Sequence, residues 1–385
     1  MRLTPLSRAC GQTLARDLPP TGPNRIPLLR TGTVITPGFQ RALEDHGILA
    51  LWVDDGHSEG IEPVELLPEP VRAETAAKVA TALDEARAAI GDSQMLAYDV
   101  LADLRDVVDL IAANITDSPD AALFLGDLAG ADQYTHRHSV NVTALGLLLG
   151  RAYWRTEGWV DYRGERRWDR IDERLAKLGM GLLLHDIGKM VVPSEVLNKP
   201  GKLSAEEWAL MQSHPDAGVA LLDSATVSPL VRSVVRDHHE RYDGSGYPRG
   251  IAGDHIGEFP RLAAVADVYD AVTSERAYAR AKPAHVGVRI VRDGAGDHFD
   301  PEVVQVFSKI VAPFPPGDAV ELSDGRGGVV ASVPAEAIDR PVVRILGDGD
   351  PYDLPLADHP RLRIVGWEED GPAPAQRESA RRWAI

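Results

Sequence analysis

Histidines and acids recur in this chain at the ends of apolar helical stripes. In QYTHRHSVNVTALGLLLG, Tyr134, His138, Val142 and Leu145 share one helical face, with Leu149 close to it, while His136 lies on another. In LAKLGMGLLLHDIGKM, Leu178 and Leu182 lead to His185, and Leu183 neighbours Asp186. In LVRSVVRDHHERY, Leu230 and Val234 lead to His238, and Val231 and Val235 lead to His239. In RLAAVADVYDAVTS, Ala263, Asp267, Asp270 and Ala271 form a face of small residues and acids that another helix could approach closely. His214 lies in LSAEEWALMQSHPDAG, where Ser204 and Glu207 fit a capping box that starts the helix carrying it.

One inward histidine is more often a satisfied core residue than a ligand. Here several segments each aim an imidazole or a carboxylate inward, and such groups are costly to bury unpaired. Divalent cations would satisfy them together. Histidine and aspartate without thiolate suit Fe, Mn, Co, Ni or Zn. The candidates His138, His185, Asp186, His214, His238, His239 and Asp267 exceed one four-coordinate site and can fill two. Asp186 is the natural bridge, because the His185–Asp186 doublet can address both ions. Ions about 3.5–4 Å apart polarise a phosphoryl oxygen and turn a shared water into hydroxide near neutral pH. That is the chemistry of phosphate-ester hydrolysis. Lys189, one turn after Asp186, could hold a nonbridging oxygen or steady the leaving group; the blander alternative is a surface lysine.

The elements that must position these groups sit in a chain of 385 residues, room for two or three domains. The formal net charge of −17 argues against broad electrostatic binding to nucleic acid or anionic membrane. A phosphate-bearing substrate therefore needs a local basic or metal site. Cys10 is the only cysteine, which rules out a disulfide within the chain and suits a reducing compartment. The longest apolar patches are too short to span a membrane, and the N-terminus lacks a signal-peptide core. The chain reads as cytoplasmic.

Four regions differ in texture. Residues 1–70 read as a small α/β or mostly β module, with a helix near Pro37–Asp45 leading to a strand at Ile48–Val53. Residues 71–115 read as a helical connector that could also pair two copies of the chain as a homodimer. Residues 116–311 read as an all-α domain. Residues 312–385 read as a small β module, with VVRIL and RLRIV as strands, followed by a loosely ordered tail. The charged, aromatic-rich stretch 154–174 reads as a solvated excursion between helices rather than a lid or partner surface.

LLLHDIGKM, PSEVLNKPGKLSAEEWALMQSHPDAG, DHHERYDGSGYPRG and AVADVYDAVTSERAY recur here in order, and together they closely resemble the HD-GYP domain. That domain is a branch of the HD metal-dependent phosphohydrolases. The resemblance runs from about Asp132 to Phe307. It implies an all-helical catalytic domain with two, sometimes three, metals, commonly iron or manganese. The usual reaction is hydrolysis of cyclic di-GMP to pGpG or on to GMP. By that pattern the ligands are His138, His185, Asp186, His214, His238, His239 and Asp267, the catalytic lysine is Lys189, and the signature is Gly246, Tyr247 and Pro248. Members with a third metal carry an acid four residues before the first histidine. Tyr134 stands there, so a binuclear site is expected.

In the signature loop, Gly244 and Gly246 permit turns that bulkier residues resist. Tyr247 offers a flat face for a guanine, or is merely packed in a structural turn, and Pro248 stiffens the loop. Arg276 is the best basic candidate for phosphate. The family usually continues from it as Arg-Pro-Tyr and a basic residue; here Ala279 occupies that basic position, and Arg280 and Lys282 lie beyond it. Asp270 could touch substrate or orient groups behind the ligands. The leading expectation is a cyclic di-GMP phosphodiesterase. Its alternatives are the same chemistry on another cyclic or linear dinucleotide, and a nucleotide-sensing module without turnover.

Overall fold

Alternating apolar residues between turns make strands at both ends of the chain, and three- and four-residue apolar spacing makes helices between them. The computed structural model describes the chain apart from residues 1, 7–8, 19–26, 46–47, 49, 55, 57–58, 62–64, 94, 116–133, 198, 200, 224, 275–280, 347–349 and 368–385. A few further side chains, Tyr134 among them, also fall outside the described set. The expectations for Arg276, Arg280, Tyr134 and the C-terminal tail therefore lie outside the described residues.

At the N-terminus, β1 (Arg2–Pro5), β2 (Thr13–Leu14) and β3 (Ala50–Asp54) form an antiparallel sheet in the order β1-β3-β2. Helix α1 (Pro37–Asp45) occupies its expected span. The strand after it starts later than expected because the Ile48 amide still donates to the Leu43 carbonyl at 2.9 Å, closing the helix.

The central unit contains α2 (Glu69–Ser93), α3 (Tyr98–Asn114), α4 (Tyr134–Thr156), α5 (Ile171–Leu184), α6 (Ser194–Leu197), α7 (Ala205–Gln212), α8 (His214–Leu221), α9 (Pro229–Asp237), α10 (Glu258–Thr273), α11 (Ala284–Asp293) and α12 (Pro301–Ile310). Its apolar core is continuous from Leu66 to Val311. Leu104, Val108 and Ile111 of α3 belong to that core, so the connector's apolar stripe is spent inside this chain. No helix among the described residues is long and apolar enough to cross a membrane.

The excursion between α4 and α5 is a two-stranded hairpin, β4 (Trp159–Val160) and β5 (Arg166–Arg167). Its base is pinned by Arg174, whose guanidinium lies 4.5–4.9 Å from the ring centroids of Trp154, Trp159 and Phe259 and pairs with Glu258. Its tip is solvated: Tyr162 is 88% exposed.

A second correction concerns His214. The capping box at Ser204 and Glu207 is present, but the helix it starts is α7, which ends at Gln212. Ser213 breaks the chain, and His214 is the first residue of α8. At the C-terminus, β6 (Ala319–Leu322), β7 (Gly327–Ser332), β8 (Val342–Ile345), β9 (Tyr352–Pro355) and β10 (Ile364–Trp367) form one antiparallel sheet in the order β10-β6-β7-β8-β9, with its own apolar cluster.

Candidate metal centre

The ends of α5, α8 and α9, the second turn of α4 and the middle of α10 meet at one point. Helix α5 stops at Leu184, and residues 187–191 tighten into a 3-10 turn. In a continuing α-helix, His185 and Asp186 would diverge by about 100°. The doublet lies between the two helices, with Asp186 out of helical geometry at φ −97° and ψ 7°, and both side chains reach the same site. The same device works at α9, where His238 is the helix cap and His239 follows in a turn, their ring centroids 4.1 Å apart.

Each of four rings has its Nδ1 on an acceptor. His185 donates to the Leu182 carbonyl at 2.6 Å, and His214 to that of Met211 at 2.8 Å. His238 lies 3.1 Å from the carbonyls of both Val234 and Val235, and His138 donates to Asp270 Oδ2 at 2.6 Å. These bonds set the tautomers and turn every Nε2 toward the centre. There, His214 Nε2 and His238 Nε2 lie 3.4 Å apart. Asp186 Oδ1 is 3.4 Å from His214 Nε2 and 3.8 Å from His238 Nε2. Its other oxygen, Oδ2, is 3.3 Å from His185 Nε2, 3.9 Å from His138 Nε2 and 2.7 Å from Lys189 Nζ. Asp267 Oδ1 lies 3.2 Å from His138 Nε2 and 4.0 Å from His185 Nε2.

The donor set fits a cation. Asp186, His214, His238 and His239 form one group able to hold a metal ion, and His138, His185 and Asp186 form another. Asp186 belongs to both. Among the described residues, His185 Nε2, Asp186 Oδ1 and His239 Nε2 are buried without a hydrogen-bond partner. Lone pairs of this kind, aimed at one another away from water, are expensive unless a positive charge lies between them.

The charge states agree. Burial, then repulsion from His185 and His214, lowers His238 to about 3. Burial lowers His214, and burial with His238 takes His239 well below the usual histidine value. Burial alone would raise Asp186, but His185 and Lys189 outweigh it and hold the carboxylate well below its ordinary range. For His138, burial opposes the charged form, yet Asp267 and Asp270 prevail and raise it to about 9.

Asp270 is fully buried, and its oxygens are engaged by His138 and by the Ser274 hydroxyl at 2.8 Å. Direct contact with substrate does not fit this placement; the carboxylate orients His138. Asp270→Asn is expected to weaken metal affinity by about 10–100-fold, measured by competition with a metal-sensitive dye. An unchanged affinity would show that His138 needs no such support.

The signature loop crosses the backbone of its own beginning. A Cβ on Gly246 would lie 2.3 Å from the Arg241 amide nitrogen and 2.5 Å from Glu240 Cα. Tyr247 stacks on His239, with ring centroids 4.7 Å apart and an interplanar angle of 28°. Pro248 follows in the half-buried part of the loop. Buried Glu240 accepts from the Arg249 and Ile251 amides at 2.7 and 3.1 Å, and buried Asp237 pairs with the Arg249 guanidinium at 2.7 Å. Glu240 and Asp237 were not singled out from the sequence, though their place beside the His238–His239 doublet was a signal. Gly188 was also missed. Its hydrogen side faces the His214 carbonyl so closely that a Cβ would lie 1.9 Å away.

A helical unit built around a His-Asp doublet of this kind is an HD domain, and residues 151–303 match the family described as HD domain. Gly246, Tyr247 and Pro248 stand in the loop that follows the His238–His239 doublet, within the matched segment. His138 lies ahead of the matched segment.

A cyclic di-GMP phosphodiesterase of Pseudomonas aeruginosa is 40% identical over 271 residues, covering 68% of this chain and 62% of that protein. A cyclic di-GMP phosphodiesterase of Thermotoga maritima is 34% identical over 182 residues, covering 46% of this chain and 45% of its own. A 3'3'-cGAMP-specific phosphodiesterase of Vibrio cholerae is 39% identical over 129 residues, covering 32% and 24%. The chain thus spans less than two thirds of the length of each of these relatives.

Proposed function

We propose that this chain is a binuclear metal-dependent phosphodiesterase that hydrolyses cyclic di-GMP to pGpG, GMP or both. The observation that carries the reading is Asp186, whose two oxygens face two different groups of imidazoles. On this reading His214, His238, His239 and Asp186 would hold one ion, and His138, His185, Asp267 and Asp186 would hold the other, with iron or manganese as the metal. Bound there, such ions supply Lewis acidity toward a phosphoryl oxygen and lower the pKa of a water.

The chain's own groups do the rest. Lys189 Nζ donates to Asp186 Oδ2 at 2.7 Å, a position from which it can hold a nonbridging oxygen or steady the leaving oxygen. Tyr247 shields one face of His239 from water, so a guanine could use only its other face. Arg276 and Arg280 remain proposed phosphate contacts. The division into 1–70, a connector at 71–115, a catalytic unit at 116–311 and a module at 312–385 is also part of this reading. Separate apolar clusters at the two ends of the chain support its outer boundaries. A homodimer through the connector would have to use the exposed faces of α2 and α3.

The test is to purify the protein anaerobically, load it with Fe or Mn under reducing conditions, add cyclic di-GMP and follow products by chromatography. Appearance of pGpG or GMP, abolished by a chelator, is the expected result; no product with either metal overturns the reading. Similarity to a cGAMP-specific relative favours one second reading, the same chemistry on that dinucleotide. The ratio of kcat/KM for the two substrates decides between them.

A further inference from the structure

Beside the metal centre lies a pocket that the ligands do not fill. His238, His239 and Asp267 line it, and so do Arg241 and His298. Ala264, Val268 and Ala271 of α10 contribute its apolar floor.

Arg241 is half-buried, and no hydrogen bond or ion pair engages its guanidinium among the described residues. Other arginines of the same unit are matched: Arg174 with Glu258, Arg249 with Asp237, and Arg261 with Asp300. The nearby carboxylate of Asp243 feels the charge of Arg241 but is exposed, and it accepts its hydrogen bond from the Ser245 amide at 2.8 Å. With no carboxylate hydrogen-bonded to it, the planar fork of Arg241 keeps its donors available to an entering anion.

The backbone at Arg241 is fixed from both sides. The Tyr242 amide donates to the His298 carbonyl at 3.1 Å and the Asp243 amide to the Asp297 carbonyl at 2.7 Å. Before it, Glu240 is bound to the amides of Arg249 and Ile251. Gly246 packs onto the Arg241 amide itself. The side chain therefore starts from a braced point, which lowers the cost of ordering it around a ligand. A chain of net charge −17 also needs such a local cation to hold a polyanion.

We infer that Arg241 binds the second phosphate of the dinucleotide, the one not being cleaved. This rests on the phosphodiesterase reading above. The scissile phosphate lies at the metal centre, the second phosphate takes the planar fork of Arg241, and the small side chains of α10 leave room for the ring between them. Arg241 is thus a substrate-positioning residue that selects ligands with two phosphates over those with one.

The test is calorimetric and needs no turnover. The probes are the hydrolysis-resistant bisphosphorothioate analogue of cyclic di-GMP and GMP, titrated into manganese-loaded wild-type, Arg241→Ala and Arg241→Lys proteins. For the dinucleotide analogue, the expected loss of affinity in Arg241→Ala is at least about tenfold, the scale of a charged hydrogen bond. For GMP it is under about twofold, and lysine is expected to restore most of the dinucleotide affinity. Thermal melts within a few degrees of wild type establish that the variants are folded. Unchanged dinucleotide affinity in a folded Arg241→Ala protein, or equal losses for both ligands, overturns the inference while leaving the phosphodiesterase reading standing. A wild-type protein that binds neither ligand overturns both.

Discussion

An Asp186→Ala protein is expected to lose metal from both groups of ligands and to lose cyclic-dinucleotide hydrolysis by at least about 10³-fold. Removing one preorganised electrostatic group from an active site typically costs about 10²–10³ in kcat. Asp186 is common to both candidate groups, with Oδ1 3.4 Å from His214 Nε2 and Oδ2 3.3 Å from His185 Nε2. Its loss also leaves Lys189 Nζ without the carboxylate it now meets at 2.7 Å. Elemental analysis of metal per chain and a product assay check the expectation. Asp186→Asn separates chemistry from shape: the amide keeps the side-chain volume but not the charge, and the same loss is expected. A variant that kept two ions per chain and a tenth of the activity would show that Asp186 is not the shared ligand.

Gly188→Ala is expected to cost about 3 kcal/mol or more, at the upper end of overpacking penalties, and to lower the melting temperature by roughly 6–12 °C. The added Cβ would lie 1.9 Å from the His214 carbonyl oxygen and 2.5 Å from the Gly218 amide nitrogen. Both are backbone atoms, so no rotamer change relieves the clash and α8 must move. His214 opens α8, so its ring would leave Asp186 and the metal group that contains it would weaken. Gly218→Ala is the control. The nearest atom to its Cβ would be Val235 Cγ1 at 2.7 Å, a side chain that can shift, so a smaller effect is expected. Differential scanning calorimetry with and without manganese measures both effects. A Gly188→Ala protein with wild-type melting and metal content would show that the close approach of α8 is not needed.

The ligand candidates could be read from the sequence because each ends or punctuates an apolar stripe. A stripe fixes which way a helix faces without knowledge of its neighbours. Helices α1 and α3 and strand β8 were legible for the same reason, because their periodicity is local, whereas RLRIV is strand only from Ile364 onward and β9 had not been expected. Local pattern failed where a break in the chain mattered more than its period. Ser213 separates α7 from α8, so the capping box at Ser204 belongs to a different helix from His214. The strand after α1 starts two residues late because a helix-closing bond takes precedence at Ile48. The stretch between α4 and α5 gave no sign of its hairpin, whose anchor is Arg174 stacked on rings that include Phe259 of another helix.

Residue type and spacing were enough to select His138, His185, Asp186, His214, His238, His239 and Asp267 as a set, since burial of so many polar groups demands a common partner. Only the tertiary structure decided which oxygen of Asp186 faces which ring, that Asp270 stands behind His138, and that Arg241 shares a pocket with His238, His239 and Asp267. The close approaches at Gly188 and Gly246 were likewise decided there. These features depend on atoms brought together from distant parts of the chain. A one-dimensional period records the direction a side chain leaves its own helix, but not what it meets.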